Sequence, residues 1–339
     1  MLEDTRVIDV HHHFLPKAVF DDLKAQANGA KRLVNDRISI TLSESLHSVE
    51  THLQAMDEGG VDTAILTYSG VSTLGMAVCR QLNDGFAAIQ RDNPGRLCGA
   101  AHVQLTSPDD APEELERAIR DLGLVAVALP TSDRGATLDM RELAPLWRKI
   151  AELDVPIILH PALLPQGAST DWGMERSCSR PFDTTLAAVR IMNGVFPEFP
   201  NLKFVLPHTG GTSIFLRGRI SMFFAPPEVP NPSPDLAKTQ RDQQAMGIAD
   251  VFEERWGKFY FDTAGNGGWA PVIKWAVEVV GAQRLLFGSD YPLESYSGAT
   301  VRELVEMIGS LRLARESKQA IAGKNAIELF RLQEYHPHA

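Results

Sequence analysis

Short apolar runs of strand length alternate along the chain with segments of helical periodicity. The runs are Val7–Val10, Ala64–Thr67, Gly99–Val103, Val125–Leu129, Ile157–Leu159, Phe204–Leu206, Phe259–Phe261 and Leu285–Phe287. Helical spacing is found in Glu113–Leu122, Leu143–Leu153, Thr184–Val195, Pro271–Val280 and Val301–Ile308. Because continuous apolar runs are typical of parallel strands buried on both faces, the pattern predicts an α/β fold with a (β/α)8 TIM barrel as one domain over residues 1–339. The alternative, a doubly wound open sheet, is disfavoured because no Gly-rich phosphate loop follows the first strand.

Two segments interrupt the repeat. Residues 14–48 separate the first strand from the next helix, and the alternation from Arg37 to Leu42 predicts a small hairpin strand. We expect this inserted segment to lie over the mouth of the barrel. Residues 226–246 contain five prolines, too many for a helix, and are expected to form an ordered surface loop or a subunit contact.

Four of the apolar runs end in side chains that bind metals. His11 and His13 follow the first run, His160 the fifth, His208 the sixth and Asp290 the eighth. The carboxyl ends of all strands of a parallel barrel meet at one mouth, so these distant residues are predicted to lie together. A strand's period of two places His11 and His13 on one face and His12 on the other.

This set of side chains predicts a catalytic metal centre. Imidazole with carboxylate suits Zn²⁺ or Mn²⁺, and three histidines with one aspartate (His11, His13, His160 and Asp290) leave a position open for a reactant. A closed structural zinc site would contain more cysteine. The other histidines are expected to be hydrogen-bonded interior or surface residues, namely His47, His52, His102, His336 and His338.

Composition restricts the partners and the compartment. A net charge of −10 and a pI near 5.5 argue against a nucleic acid or an anionic membrane as partner. The three cysteines are far apart and odd in number, which favours reduced thiols in a cytoplasmic protein. The first strand starts too early for a signal peptide to precede it, and no apolar run reaches the ~20 residues of a membrane span. We expect a cytoplasmic, soluble protein.

Several motifs resemble the amidohydrolase superfamily. They are Asp9-x-His11-x-His13-x-x-Pro16, His160-Pro161, Pro207-His208-Thr209-Gly210-Gly211, Phe261-Asp262-Thr263 and Phe287-Gly288-Ser289-Asp290-Tyr291-Pro292. The chain is similar, over almost its whole length, to the branch of non-oxidative decarboxylases typified by aminocarboxymuconate-semialdehyde decarboxylase and 6-methylsalicylate decarboxylase. The barrel is accordingly expected to be of the metal-dependent hydrolase type.

The resemblance implies roles for the strand-end residues. His11, His13, His160 and Asp290 match the metal ligands, with zinc the usual ion and manganese used by some relatives. His208 matches a general acid/base beside the metal, and either His208 or Asp290 is expected to deliver the proton. Relatives with two metals carry a carboxylated lysine after the fourth strand, and Pro130-Thr131-Ser132 stands there instead. One divalent ion and no organic cofactor are therefore expected.

The resemblance also implies residues that bind the substrate. Arg219 matches an arginine that reaches the substrate carboxylate of the neighbouring subunit, which would make a homodimer functional. Arg37 occupies roughly the place of another carboxylate-binding arginine. Arg176 stands where the aminocarboxymuconate-semialdehyde decarboxylase has a tryptophan, so either Trp172 replaces that aromatic wall or Arg176 adds a second cation.

Two enzyme functions fit these residues. The first is a metal-dependent carboxy-lyase that removes CO2 from an aromatic acid, such as a hydroxybenzoate, or from a muconate-like acid. The alternative is a metal-dependent hydrolase of a lactone or of a carbon–carbon bond in a ring-fission product, because a metal-bound water with a pKa near ~7 is a nucleophile at neutral pH. A binding or scaffold protein is disfavoured because the ligand set is complete.

Overall fold

The computed structural model describes residues 2, 5–34, 38–133, 135–162, 171–222 and 252–333. Its main sheet has eight strands, and each pairs in parallel with the next along the chain. The strands are β1 (Ile8–His13), β2 (Thr63–Thr67), β3 (Leu97–His102), β4 (Ala126–Pro130), β5 (Ile157–His160), β6 (Phe204–Leu206), β7 (Phe259–Asp262) and β8 (Leu285–Leu286).

Backbone hydrogen bonds between β1 and the chain after β8 close the barrel. Val10 N donates to Phe287 O at 2.9 Å, and His13 N donates to Tyr291 O at 2.7 Å. Asp290 N donates to His11 O at 2.9 Å, so the residues after β8 are fixed against the first strand. The predicted TIM barrel is confirmed.

Helices follow the strands and cover the outside of the barrel. They are α1 (Lys17–Gln26), α2 (Val49–Gly59), α3 (Met76–Asp92), α4 (Ala111–Glu116), α5 (Ala144–Leu153), α6 (Arg180–Arg190), α7 (Ser213–Ser221), α8 (Phe252–Trp256), α9 (Ala270–Val280), α10 (Gly298–Ser310), α11 (Arg315–Gln319) and α12 (Asn325–Leu329). In these described ranges, no helix has the length and apolar character needed to cross a bilayer.

The strands are buried on both faces, which explains their unbroken apolar sequences. A small cluster of mostly short side chains from the strands fills the interior, with Ile8, Val10, Ile65, Cys98, Ala100, Ala126, Ala128, Ile158, Val205 and Leu286 among its members. A larger cluster lies between the strands and the helices. Polar residues follow the interior cluster at the carboxyl end, where the barrel opens.

A β-bulge in β1 decides which histidines face the interior. Ile8 pairs with Thr63 and Asp9 with Ala64, but the next pairs are His12 with Leu66 and His13 with Thr67, so β1 has one extra residue. Ile8 and Val10 pack inside the barrel. If the strand alternated strictly, the side chain of His12 would therefore point into the barrel. The extra residue restores the predicted arrangement, in which His11 and His13 share the inner face.

The segment after β1 contains the predicted hairpin. Strands Arg32–Val34 and Ser39–Thr41 pair antiparallel, with Leu33 opposite Ile40. Residues 35–37, which include Arg37, lie outside the described residues. That the segment 14–48 covers the mouth stays a prediction. The Pro-rich stretch 226–246 also lies outside the described part of the chain.

Candidate metal centre

Side chains from four strand ends meet at the mouth of the barrel. His11 Nε2 lies 3.2 Å from His13 Nε2, and His13 Nε2 lies 2.9 Å from Asp290 Oδ1. One ring nitrogen each of His11, His160 and His208 forms a second group with separations within 4.8 Å. The structure thus brings all four predicted ligands together, with His208 beside them.

The donor atoms fit a divalent cation. Two nitrogens bound at about 2.1 Å to one tetrahedral ion lie about 3.4 Å apart, close to the separation of the His11 and His13 nitrogens. Asp290 Oδ1 and His208 Nε2 are buried, and neither has a hydrogen-bond partner among the described residues. His160 Nδ1 is 2.8 Å from Pro161 O and is assigned as the donor, which leaves the Nε2 lone pair free. Buried polar atoms without partners are rare and indicate a bound ion or water.

Asp262, at the end of β7, holds two of the histidines. Its Oδ2 lies 2.7 Å from His11 Nδ1, so that nitrogen donates and His11 Nε2 is available as a ligand. Its Oδ1 accepts from the backbone N–H groups of His208 at 2.8 Å and Ala264 at 3.1 Å. Asp262 is fully buried, so one carboxylate fixes the orientation of a ligand and the position of His208.

The electrostatics of the site favour a cation. Burial lowers the pKa of His13 and, together with the neighbouring imidazoles, holds the pKa of His160 well below its ordinary value, so both rings are neutral. Burial alone would also lower the pKa of His11. The carboxylates of Asp262 and Asp290 outweigh this effect and raise the pKa of His11 to about 9. Although burial opposes it, the nearby rings of His13, His208 and His11 hold the pKa of Asp290 well below its usual range. The neutral rings of His13 and His160 beside the ionised Asp290 suit a cation, and binding a cation would displace the proton that His11 otherwise carries.

His208 lies beside the predicted ligands in a constrained position. Its ring stacks on His11 at 5.0 Å between centroids, and its Nε2 lies 3.5 Å from Asp290 Oδ2. Both His208 and Asp290 have a φ of 54°, in the sparsely populated left-handed region. Gly265 permits the arrangement because a Cβ there would lie 2.6 Å from His208 Cγ. His208 is therefore held with its Nε2 facing Asp290, next to the cluster of predicted ligands.

His12 is directed away from the ion site, as predicted. Its Nδ1 lies 2.8 Å from Asp9 Oδ2, and its Nε2 lies 2.7 Å from His52 Nδ1 on α2. Asp9 also accepts from Ser289 N at 3.0 Å and Ser289 Oγ at 2.5 Å, which ties β1 to the residue before Asp290. His52 is thus a hydrogen-bonded interior residue, as expected, and this network supports the ligands from behind.

The residues predicted to bind the substrate do not all lie at the ion site. Arg176 is exposed but lies close enough to Tyr68 and Glu294 to influence their ionisation. Trp172 is 94% exposed, so the structure leaves it outside the ligand cluster. Arg219 is exposed on α7. Arg37, as noted, is outside the described residues.

Two residues at the mouth received no role from the sequence. Asp262 ends the seventh apolar run and satisfies the rule that found Asp290, but one carboxylate had already been assigned to the ion. Tyr68 directly follows β2, and its ring centroid lies 5.3 Å from that of His13. Neither the contact of Asp262 with His11, 251 positions away in the chain, nor that of Tyr68 with His13 has a local signal in the sequence.

Replacing Asp262 with asparagine is expected to weaken metal binding by about ten- to a hundredfold. An amide N–H facing His11 Nδ1 would favour the tautomer with a proton on Nε2, where the ion is held. Titration calorimetry with Mn²⁺ measures the change. Asp62→Asn is the matched control, because Asp62 accepts a backbone N–H from Val7 at the other end of β1. Equal affinities for the wild type and Asp262→Asn would refute this role.

Comparison with known proteins places this site in a family. The chain is 29% identical over 302 residues to a gamma-resorcylate decarboxylase from Rhizobium sp. (strain MTP-10005), covering 84% of this chain and 87% of the relative. It is 25% identical over 350 residues to the 2-amino-3-carboxymuconate-6-semialdehyde decarboxylase of Dictyostelium discoideum, covering 96% of this chain and 91% of the relative.

A solved structure gives the same result. The dihydroxybenzoic acid decarboxylase from Polaromonas sp. JS666, with bound manganese and the inhibitor 2-nitroresorcinol, has a TM-score of 0.71 and 25% identity, covering 97% of this chain and 98% of that one. The predicted activity class, a carboxy-lyase, is confirmed by these relatives. A model of the amidohydrolase family matches residues 8–332, and the chain therefore belongs to the amidohydrolase family, among relatives that are decarboxylases.

Proposed function

We propose that this chain removes CO2 from a hydroxylated benzoic acid, using one divalent metal ion held by His11, His13, His160 and Asp290. The observation that carries the proposal is the convergence of three imidazoles and one carboxylate beside His208, in a barrel whose relatives are decarboxylases. A muconate-like acid is the second substrate class, because the aminocarboxymuconate-semialdehyde decarboxylase also matches the chain.

Zinc and manganese are both compatible with this donor set. The resemblance of the sequence to the decarboxylase branch of the amidohydrolase superfamily favours zinc, whereas the Polaromonas structure contains manganese. When bound, the cation supplies Lewis acidity that stabilises negative charge on a neighbouring oxygen of the substrate. We take Mn²⁺ as the first ion to test and Zn²⁺ as the second.

The chain's own residues perform the other steps. Arg176 attracts the substrate carboxylate, because a guanidinium binds a carboxylate in a bidentate manner. His208, which faces the Asp290 carboxylate, holds a proton and transfers it to the ring carbon that bears the substrate carboxylate. That carbon's bond to the carboxylate then breaks, its electron pair returns to the ring, and CO2 leaves. The balance is one acid anion and one proton in, one arene and one CO2 out.

Product analysis tests the proposal. The purified protein, loaded with Mn²⁺ or Zn²⁺, is incubated with 2,6-dihydroxybenzoate, other hydroxybenzoates and muconate-type acids, and the products are identified by mass spectrometry. We expect a product that has lost the mass of CO2. A lactone or ring-fission product that gains the mass of water would support the hydrolase instead. Absence of CO2 release from every acid with both ions would reject the proposal.

We also propose a homodimer in which Arg219 reaches the neighbouring active site. An exposed apolar patch on α6, α7 and α9 supports it, formed by Phe182, Leu186, Phe215, Met222 and Trp275. Phe215 is 77% exposed, with its ring centroid 6.3 Å from that of Trp275. A contiguous exposed apolar surface is typical of a protein interface. Arg219 lies one helical turn after Phe215, on the same side of α7.

Replacing Phe215 with glutamate is expected to dissociate this dimer. A charge in the centre of an apolar interface costs several kcal/mol, enough to weaken association by about a hundredfold or more. Light scattering after size-exclusion chromatography measures the mass, with Met140→Glu, outside the patch, as the control. A wild-type protein that is monomeric, or a Phe215→Glu variant that stays dimeric, would contradict the interface.

The remaining expectations concern compartment and partner class. Cys79, Cys98 and Cys178 are all unpaired, which supports a reducing compartment, and we propose the cytoplasm. A small carboxylic acid is the proposed substrate, and neither nucleic acid nor membrane is expected as a partner.

A further inference from the structure

Tyr68 is a buried residue at the mouth of the barrel, and its hydroxyl takes no part in the proposed steps. The residue is 4% exposed, and its ring lies against the ring of His13. Among the described residues, none forms a hydrogen bond with the phenol oxygen, although other buried polar groups around it are paired. Buried tyrosine hydroxyls usually have a partner. This hydroxyl is therefore available to a ligand bound beside His13.

The backbone of Tyr68 is held in place from behind. Its N–H donates to His102 Nε2 at 2.9 Å, and His102 Nδ1 donates to Ala100 O at 2.9 Å. Asn83 Oδ1 accepts from His102 N at 2.7 Å, and Asn83 Nδ2 donates to Glu114 Oε1 at 2.7 Å. Burial lowers the pKa of His102 to about 4, so the ring is neutral and can accept. A donor fixed through such contacts is pre-organised for binding.

Charges of both signs lie near the phenol group. Burial raises the pKa of Tyr68, and the charges that act on its phenol are those of Arg180, Asp290 and Arg176. Arg180 is largely buried in a 2.5 Å ion pair with Glu175, whereas Arg176 is exposed. An anionic substrate group bound at the ion site would lie near the ring of Tyr68, because that ring lies 5.3 Å from the ring of His13. A neutral phenol is a hydrogen-bond donor at neutral pH and suits a carboxylate oxygen.

We propose that Tyr68 determines specificity by donating a hydrogen bond from its hydroxyl to the substrate carboxylate, an assignment that rests on the proposed function. The contact is made only while the carboxylate is attached to the ring. Tyr68 therefore contributes to recognition of the acid and not to binding of the decarboxylated product. It also favours the acid over a neutral phenol of the same shape.

The test compares Tyr68→Phe with the wild type in binding two ligands, 2,6-dihydroxybenzoate and resorcinol, the phenol that its decarboxylation gives. The loss of one hydrogen bond to a charged oxygen is expected to weaken binding of the acid by about ten- to a hundredfold. Resorcinol affinity should change by less than about threefold. Titration calorimetry with Mn²⁺-loaded protein measures both, and KM should rise more than kcat falls.

Tyr260→Phe on β7 is the matched control, because Tyr260 packs with the interior cluster and not with the ligands. Metal content and melting temperature are measured for each variant, so a misfolded protein is recognised. Unchanged affinity for the acid, or an equal loss for both ligands, would overturn the assignment of Tyr68. A wild type that binds neither ligand and releases no CO2 from any acid would instead reject the proposed function.

Discussion

Replacing Asp290 with asparagine is expected to lower the rate of CO2 release by about a thousandfold or more, even at saturating Mn²⁺. One oxygen of Asp290 lies among the ligand atoms, 2.9 Å from His13 Nε2, and the other lies 3.5 Å from His208 Nε2. The amide removes the negative charge from the ligand set and the proton acceptor that faces His208. Two contributions to catalysis are lost in one substitution.

The fold should tolerate this change. Asp290 has a φ of 54°, and asparagine adopts the left-handed region at least as readily as aspartate. Metal content, melting temperature and steady-state rates are measured together. The control is Asp57→Asn, since Asp57 is exposed and only forms a surface ion pair with Arg96. An Asp290→Asn enzyme that keeps more than a tenth of the wild-type rate would show that this carboxylate is dispensable.

Removing the divalent ion with a chelator is expected to reduce activity to below about 1% of the loaded enzyme, because the Lewis acid supplies several kcal/mol of stabilisation to the transition state. Adding Mn²⁺ should restore the rate, and Zn²⁺ should restore it in part or in full. Binding should also raise the melting temperature, since an ion at a hundred times its Kd stabilises the folded state by about 2.7 kcal/mol.

Calcium provides the control for this experiment. It prefers six to eight oxygen ligands, and the site offers mainly imidazole nitrogens, so Ca²⁺ should restore neither the activity nor the melting temperature. Full activity in protein shown to be free of metal would contradict the centre. Restoration by Ca²⁺ alone would contradict the assigned ligands.

The meeting of the proposed ligands at the mouth of the barrel was predictable because their positions follow a local rule. Each stands directly after an apolar run, and a parallel barrel gathers the ends of its strands. To apply the rule, one needs only to recognise a short apolar run of strand length, and segments as short as Ile157–Leu159 can be recognised in this way. The same rule would have found Asp262 had it been applied to every run.

The contacts behind the ligands could not be predicted. Asp262 orients His11, Ser289 bonds to Asp9, and His102 holds Tyr68, each through a partner far away in the sequence. These depend on side-chain directions that only the folded barrel fixes. The bulge in β1 is a further example. Regular alternation places His11 and His13 on the same face, but it does not predict that Val10, directly before His11, also faces inward.

The bulge has a consequence for protein engineering. A designer who grafts the His-x-His motif onto the first strand of another barrel would obtain two histidines in the correct spacing on a regular strand. If the residue before them already points inward, as Val10 does here, both imidazoles would then project toward the surrounding helices and the ion would be lost. The transferable unit is therefore the strand irregularity together with the histidines, because the extra residue lets the two imidazoles face inward after an apolar residue that also faces inward.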